Sequence, residues 1–326
     1  MKAMTISNIG GYDAFNLTEQ PMPELQLGHM IVEVKATSVN PLDTMLRSVQ
    51  TPWSENLPSI LHGDVAGVVT AVCDSISNFK VGDEVYGCAG GIAGINGALA
   101  DYMLVDANLM AHKPTSLTMK QAAALPLVSI TAWEALCEKM DVKAGDNLLV
   151  HGATGGVGHI AVQLGKHLGA TVTTTTRSKN EAVAKTLNAD NVVNVEEHTV
   201  AEYVAQYTDG HGFDAIFDTI AGENIQRSFE AVKFNGRVAT TLPIADPLQI
   251  ALKGLSFHSV LMLIPMIENI NRARHGKILS AVAELVDQGK ITPLIDESAF
   301  TIWQVAEAHA HLEAGKAVGK VVLTHD

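Results

Sequence analysis

The stretch NLLVHGATGGVGHIAVQLGKHLGATVTTTT, residues 147–176, restricts what this chain can fold into more than any other. A short apolar run leads into the glycine loop 152–158. Val157, Ala161, Leu164 and Leu168 then keep helical spacing, and TVTTTT reads as a second strand. Strand, glycine loop, helix and strand in this order place backbone N–H groups at the mouth of a helix. There a tight turn can approach a pyrophosphate and the helix N-terminus favours its charge. A glycine pattern alone is weak evidence, but here the flanking elements agree with it. Thr154, Gly155, Gly156, Val157 and Gly158 are the candidate pyrophosphate residues.

The alternation continues beyond the loop. DNVVNV, FDAIFDT, GRVATTLP and LSFHSVLML read as further strands. Ser178 with Glu181, and Thr199 with Glu202, have the spacing of capping boxes at helix starts. Continuous apolar strands joined by helices predict a parallel sheet covered on both faces, so residues 123–264 are expected to form a doubly wound α/β (Rossmann) domain with its ligand at the carboxyl ends of the strands. Residues 1–122 read differently. HMIVEVKATSV, HGDVAGVVTAV, DEVYG and ADYMLVD are strand-like runs between Gly, Asp and Pro turns, with little helix before Lys120. The last strand, GKVVLT, has no sheet of its own and is expected to complete the first domain. That makes a mostly β catalytic domain discontinuous, over 1–122 and 265–326.

Composition narrows the function classes. The net charge is −13 with no basic stripe, which argues against nucleic acid as a partner. The apolar run VLMLIPMI is too short to span a bilayer and Pro265 interrupts it, so no membrane partner is expected. Three separated cysteines, Cys73, Cys88 and Cys137, suit a reducing compartment with no disulfide framework or zinc knuckle, and Cys73 and Cys137 read as core fillers. The opening MKAMTISNIGGYD has no apolar signal region, and the expected location is cytoplasmic.

Taken together, SVNPLDTMLR (38–47), LHGDVAGVV (61–69), VGDEVYG (81–87), LPLVSITAWEAL (125–136), the glycine loop, FDAIFDT (213–219) and GKAVGKVVL (315–323) resemble the zinc-independent medium-chain dehydrogenases/reductases, the quinone oxidoreductase group. The resemblance covers essentially the whole chain. It implies a GroES-like catalytic domain beside the Rossmann domain, hydride transfer from NADPH to a quinone, enone or alkenal, and a homodimer paired through the LSFHSVLML edge strand. Zinc-dependent relatives carry a Cys where this chain has Asn40, and a Gly-His-Glu where it has His62-Gly63-Asp64. A catalytic zinc needs about three converging protein ligands, so no metal is expected, and His62 reads as a structural histidine.

The same resemblance places Asn40 beside the nicotinamide, against the plainer reading of a loop-shaping amide. Asp43 reads as structural. Thr131 matches a position near the nicotinamide where its hydroxyl could supply a proton. Trp53 is either a substrate-lining aromatic or an ordinary surface or core residue. Lys320, in the GKVVL motif, is a candidate cofactor contact. GCAGGIAGINGALA is either a pocket rim or a set of turns.

Selection of the cofactor falls to the end of the second strand, where NAD-binding folds place a carboxylate for the ribose 2′-hydroxyl. Here the sequence is Thr175-Thr176-Arg177-Ser178-Lys179. Local sequence offers no carboxylate to repel a 2′-phosphate, while Arg177 provides a fork of donors, Ser178 a hydroxyl and Lys179 a point charge. Ser178 could instead be only a helix cap and Lys179 a solvated lysine. Thr175, Arg177, Ser178 and Lys179 therefore predict NADPH over NADH. A zinc-type alcohol dehydrogenase and a non-catalytic NADPH-binding protein are the competing readings.

Overall fold

The computed structural model describes residues 1–242 and 247–325. The chain divides into two compact units. The first comprises Met1–Leu127, Leu263–Gly289 and Pro293–Asp326, and the second Val128–Met262 and Lys290–Thr292.

The first unit is built on a seven-stranded sheet. Its centre is the long antiparallel pair His29–Ser38 and Asp64–Val72. Glu84–Cys88 and Met110–His112 extend one side, and Tyr102–Asp106 pairs with His29–Ser38 off the main path. The C-terminal strand Val322–Thr324 pairs antiparallel with the first of these, Val322 opposite Ser38. That register brings the last segment of the chain beside residues 37–40. The segment 92–95 closes as a tight turn between Ile92 and Ile95.

One expectation for this unit needs correction. The region before Lys120, expected to hold little helix, contains one in SVNPLDTMLR, Pro41–Ser48. Pro41 sits in its first turn, where the missing N–H costs nothing, and the backbone N–H of Asn40 donates to Asp43 Oδ2 at 2.7 Å. Cys73 is also not a core filler: it is half-exposed, while Cys88 is buried and all three cysteines are free thiols.

The second unit is a six-stranded parallel sheet in the order Asn191–Asn194, Thr171–Thr176, Asn147–His151, Phe213–Asp218, Val232–Thr240, Ser256–Ser259. Strand order reverses between Asn147–His151 and Phe213–Asp218, which marks the ligand end of a doubly wound sheet. Phe213, Ile216, Phe229 and Val238 pack in the core on one face. The Thr199–Glu202 capping box forms as its spacing predicts. The sixth strand is shorter than LSFHSVLML suggests: it ends at Ser259, and a turn begins at Met262. Pro243, the last residue of the expected strand GRVATTLP, lies outside the described residues. Among the described residues no helix is long and apolar enough to cross a membrane.

Candidate active site

In the second unit the glycine loop runs from the end of Asn147–His151 into the helix Gly156–His167. Gly152 turns the chain at φ +82°, in the left-handed region. Gly158 faces the loop so closely that a Cβ there would lie 2.0 Å from the Gly152 carbonyl oxygen. The first-turn N–H groups, around Gly156, Val157 and Gly158, have no intrahelical acceptor and can serve an anion. These residues fit a dinucleotide pyrophosphate.

Two threonines, Thr175 outside the loop and Thr154 within it, fix the loop's shape. Thr175 is buried; its carbonyl accepts from Ala153 N–H at 3.1 Å, and its hydroxyl lies 3.0 Å from His151 Nδ1. It is thus a residue that positions the loop. Thr154 Oγ1 accepts from Asn180 Nδ2 at 3.0 Å, which ties the loop to the segment after the second strand.

That segment differs from expectation in one respect. Ser178 does not cap a helix with Glu181. It opens a 3₁₀ turn, Ser178–Asn180, and the helix Glu181–Lys185 follows with Asn180 at its N-cap. The Ser178 hydroxyl and N–H both donate to Glu196 Oε2, the N–H at 3.0 Å. A charged acceptor outcompetes a local cap, and Glu181 pairs with Lys185 instead. Arg177 and Lys179 are exposed on either side. The Ser178 hydrogen bonds, with the charges of Arg177 and Lys179, hold the Glu196 carboxyl below its usual range. A carboxylate does therefore reach this recess, from the third strand rather than the second. Its only sequence signal is its place just past DNVVNV, whose Asn194 pairs with Thr176.

In the first unit the segment 38–40, Asp64 and Lys320 form a buried polar cluster. Asn40, Asp64 and Lys320 are 1%, 0% and 3% exposed. Asp64 Oδ2 accepts from Ser38 Oγ at 2.7 Å and from Asn40 Nδ2 at 2.9 Å, and Oδ1 accepts from Leu127 N–H at 2.8 Å. The Lys320 ammonium lies 3.6 Å from Asp64 Oδ2 and donates to the Val39 carbonyl at 3.0 Å and to Asn40 Oδ1. The Asn40 amide is thereby fixed in one orientation, with its oxygen on Lys320 and one N–H on Asp64. Burial pushes the Asp43 carboxyl up to about 7 and holds the Lys320 ammonium below its usual value. Lys320, expected as a cofactor contact, here spends its donors on residues 39, 40 and 64. Asp64 and its role in orienting Asn40 escaped sequence reasoning, because only the strand pairing brings residues 38–40, 64 and 320 together. Trp53 precedes a 3₁₀ turn, Ser54–Asn56, and is half-buried. Thr131 is buried in the helix Pro126–Trp133.

Behind this cluster lies a chain of hydrogen bonds in which each donor fixes the next tautomer. Arg47, anchored on both oxygens of Glu313 at 2.9 Å, has its Nε 3.3 Å from His309 Nδ1. The His309 proton then sits on Nε2, 2.9 Å from His62 Nε2, and the His62 proton on Nδ1, 3.3 Å from Thr37 Oγ1. The Thr37 hydroxyl donates to the Asp64 carbonyl at 2.6 Å. Burial pushes His309 down to about 3 and His62 well below its usual value, so both rings are neutral. Unfolding frees them to protonate near their ordinary value of 6.5. Stability carried by His309 is complete above that pH and falls as pH drops toward 3, by about 1.4 kcal/mol per pH unit, and His62 acts in the same direction. Urea midpoints measured across this window should show that slope, and His309→Gln should remove about one proton's share. An unchanged slope in the variant would mean His309 is already charged in the folded protein.

The donors around His62 also bear on a metal. Both His62 nitrogens are engaged, and a Cβ at Gly63 would lie 2.9 Å from the Gly90 carbonyl oxygen, leaving no room for a ligand side chain. Among the described residues no group of three or more His, Cys, Asp or Glu side chains could hold a metal ion. These residues do not fit a catalytic zinc.

A Rossmann unit with a phosphate-type loop, joined to a discontinuous β unit, defines an oxidoreductase of the alcohol dehydrogenase superfamily. Family models described as alcohol dehydrogenase GroES-like domain and zinc-binding dehydrogenase match residues 26–115 and 187–323. Quinone oxidoreductase of Homo sapiens is 30% identical over 331 residues, covering 99% of this chain and 97% of the relative. The chloroplastic NADPH-dependent alkenal/one oxidoreductase of Arabidopsis thaliana is 30% identical over 333 residues, covering 99% of this chain and 79% of the relative. The crystal structure of an alcohol dehydrogenase superfamily protein from Novosphingobium aromaticivorans matches with a TM-score of 0.94 and 33% identity, covering all of both chains. The chain belongs to the medium-chain dehydrogenase/reductase family, within its quinone oxidoreductase group.

Proposed function

We propose that this protein is an NADPH-dependent reductase of quinones or α,β-unsaturated carbonyls that works without a metal. The observation that carries the reading is the pairing of a dinucleotide loop with Asn40 and Gly63 at the positions where zinc-dependent relatives keep ligands. NADPH, when bound, supplies a hydride to the conjugated carbon, and a proton completes the reduction.

The chain's own residues bind and orient. The helix start at Gly156–Gly158 holds the pyrophosphate, and Arg177, Ser178 and Lys179 face the 2′-phosphate. Asn40, held by Lys320 and Asp64, keeps one amide N–H as a donor for a polar group of the acceptor or the nicotinamide. Thr131 is our choice for the hydroxyl that passes on the proton, and Trp53 for an apolar wall. An enone or quinone suits a site without a Lewis acid, because its delocalised anion needs only hydrogen-bond stabilisation. Units 1 and 2 are then the catalytic and dinucleotide-binding domains. The free edge Ser256–Ser259, with Leu248 and Leu252 more than half exposed nearby in sequence, supports pairing as a homodimer. Three free thiols support a reducing, cytoplasmic setting.

Loss of NADPH absorbance with chelator-treated protein and a panel of quinones, enones, alkenals, saturated aldehydes and alcohols tests the reading. Conjugated acceptors should be turned over at least about tenfold faster than saturated ones. Faster turnover of a saturated substrate, restored only by zinc, would make it an alcohol dehydrogenase. NADPH binding without oxidation by any acceptor would make it a binding protein.

A further inference from the structure

The Glu196 carboxylate sits where an external anion would be expected. It takes the N–H and hydroxyl of Ser178, beside the positive side chains of Arg177 and Lys179. Asn194 braces the arrangement, donating from Nδ2 to Ser178 Oγ at 3.0 Å and accepting from Glu196 N–H on Oδ1 at 3.1 Å. The two donors on Ser178 and the flanking cations are what a phosphate monoester on a ribose would use. Glu196 itself is exposed, so it can leave this position without breaking the core.

We propose that Glu196 sets cofactor specificity by competing with the 2′-phosphate of NADPH for Ser178, Arg177 and Lys179. NADPH must displace the carboxylate, whereas NADH leaves it in place to accept the ribose 2′-hydroxyl. In dinucleotide folds that select NAD, a carboxylate at the end of the second strand does this. Here it arrives from the end of the third strand, carried by the parallel pairing of Asn194 with Thr176. The preference for NADPH is then narrower than the basic patch alone implies. The inference rests on the proposed NADPH reading and names the residue that limits it.

Two small probes isolate the effect, since 2′,5′-ADP and 5′-AMP differ only by the contested phosphate. Their affinities, with those of NADPH and NADH, should be measured for the wild type, Glu196→Gln and Glu196→Ala. Both variants should bind 2′,5′-ADP and NADPH about tenfold more tightly, with 5′-AMP unchanged and NADH unchanged or weakened. Adding Arg177→Ala to Glu196→Ala should cancel the gain. Unchanged or weakened 2′,5′-ADP binding in both variants would overturn the role of Glu196, while wild-type binding of NADPH would leave the proposed function standing. A wild type that binds neither dinucleotide would overturn both.

Discussion

Gly158→Ala is expected to lower dinucleotide affinity by about a hundredfold, roughly 2.7 kcal/mol. The added methyl would stand 2.0 Å from the Gly152 carbonyl oxygen, a backbone atom that no side-chain rotation can move. Either the helix start, whose first-turn N–H groups have no intrahelical acceptor, or the turn at Gly152 must shift. Gly155→Ala is the matched control, because its methyl would meet the same oxygen at 3.4 Å, an ordinary contact, on a backbone at φ −84°. Titration with NADPH, alongside thermal unfolding of both variants, checks this. The Gly158 variant should lose affinity and melt lower than the Gly155 variant. Full affinity in Gly158→Ala would mean that the loop is not the pyrophosphate site.

Lys320→Met should destabilise the protein by about 3–5 kcal/mol, because it leaves the buried carboxylate of Asp64 without a countercharge. The loss has a second component. Asn40 Oδ1 and the Val39 carbonyl lose their donor, so the Asn40 amide is no longer held in one orientation. Denaturant midpoints give the stability change. The double variant Lys320→Met with Asp64→Asn should recover part of it, since a neutral amide replaces the unpaired charge. A single variant within about 1 kcal/mol of the wild type would show that the ammonium is not what neutralises the cluster.

Much of this protein is written locally. The Rossmann sheet follows from a period of short apolar strands and amphipathic helices, a signal carried by neighbouring residues and visible without tertiary structure. The glycine loop is equally local, because its requirement is a backbone shape that few residues other than glycine adopt. Even the terminal strand Val322–Thr324 could be assigned to the first domain, since a lone apolar strand must pair somewhere.

What the sequence could not specify are the contacts that register creates. Ser178 reads as a helix cap because Glu181 is three residues away, yet in the fold Glu196, eighteen residues on, takes its donors. Asn40 reads as a lone amide, but Lys320 arrives across 280 residues to fix which of its atoms donates. His62 and His309 are unremarkable in the sequence and become a neutral buried pair only when the helix Val305–Glu313 packs against the N-terminal part of the same unit. Sequence by itself determined the class of the Rossmann strands and of the glycine loop, though not the helix Pro41–Ser48, because secondary structure and turn chemistry depend mostly on residues within one or two turns. Tertiary structure decided the charge state and hydrogen-bond direction at the site, because these depend on which distant polar groups are buried together and out of reach of water.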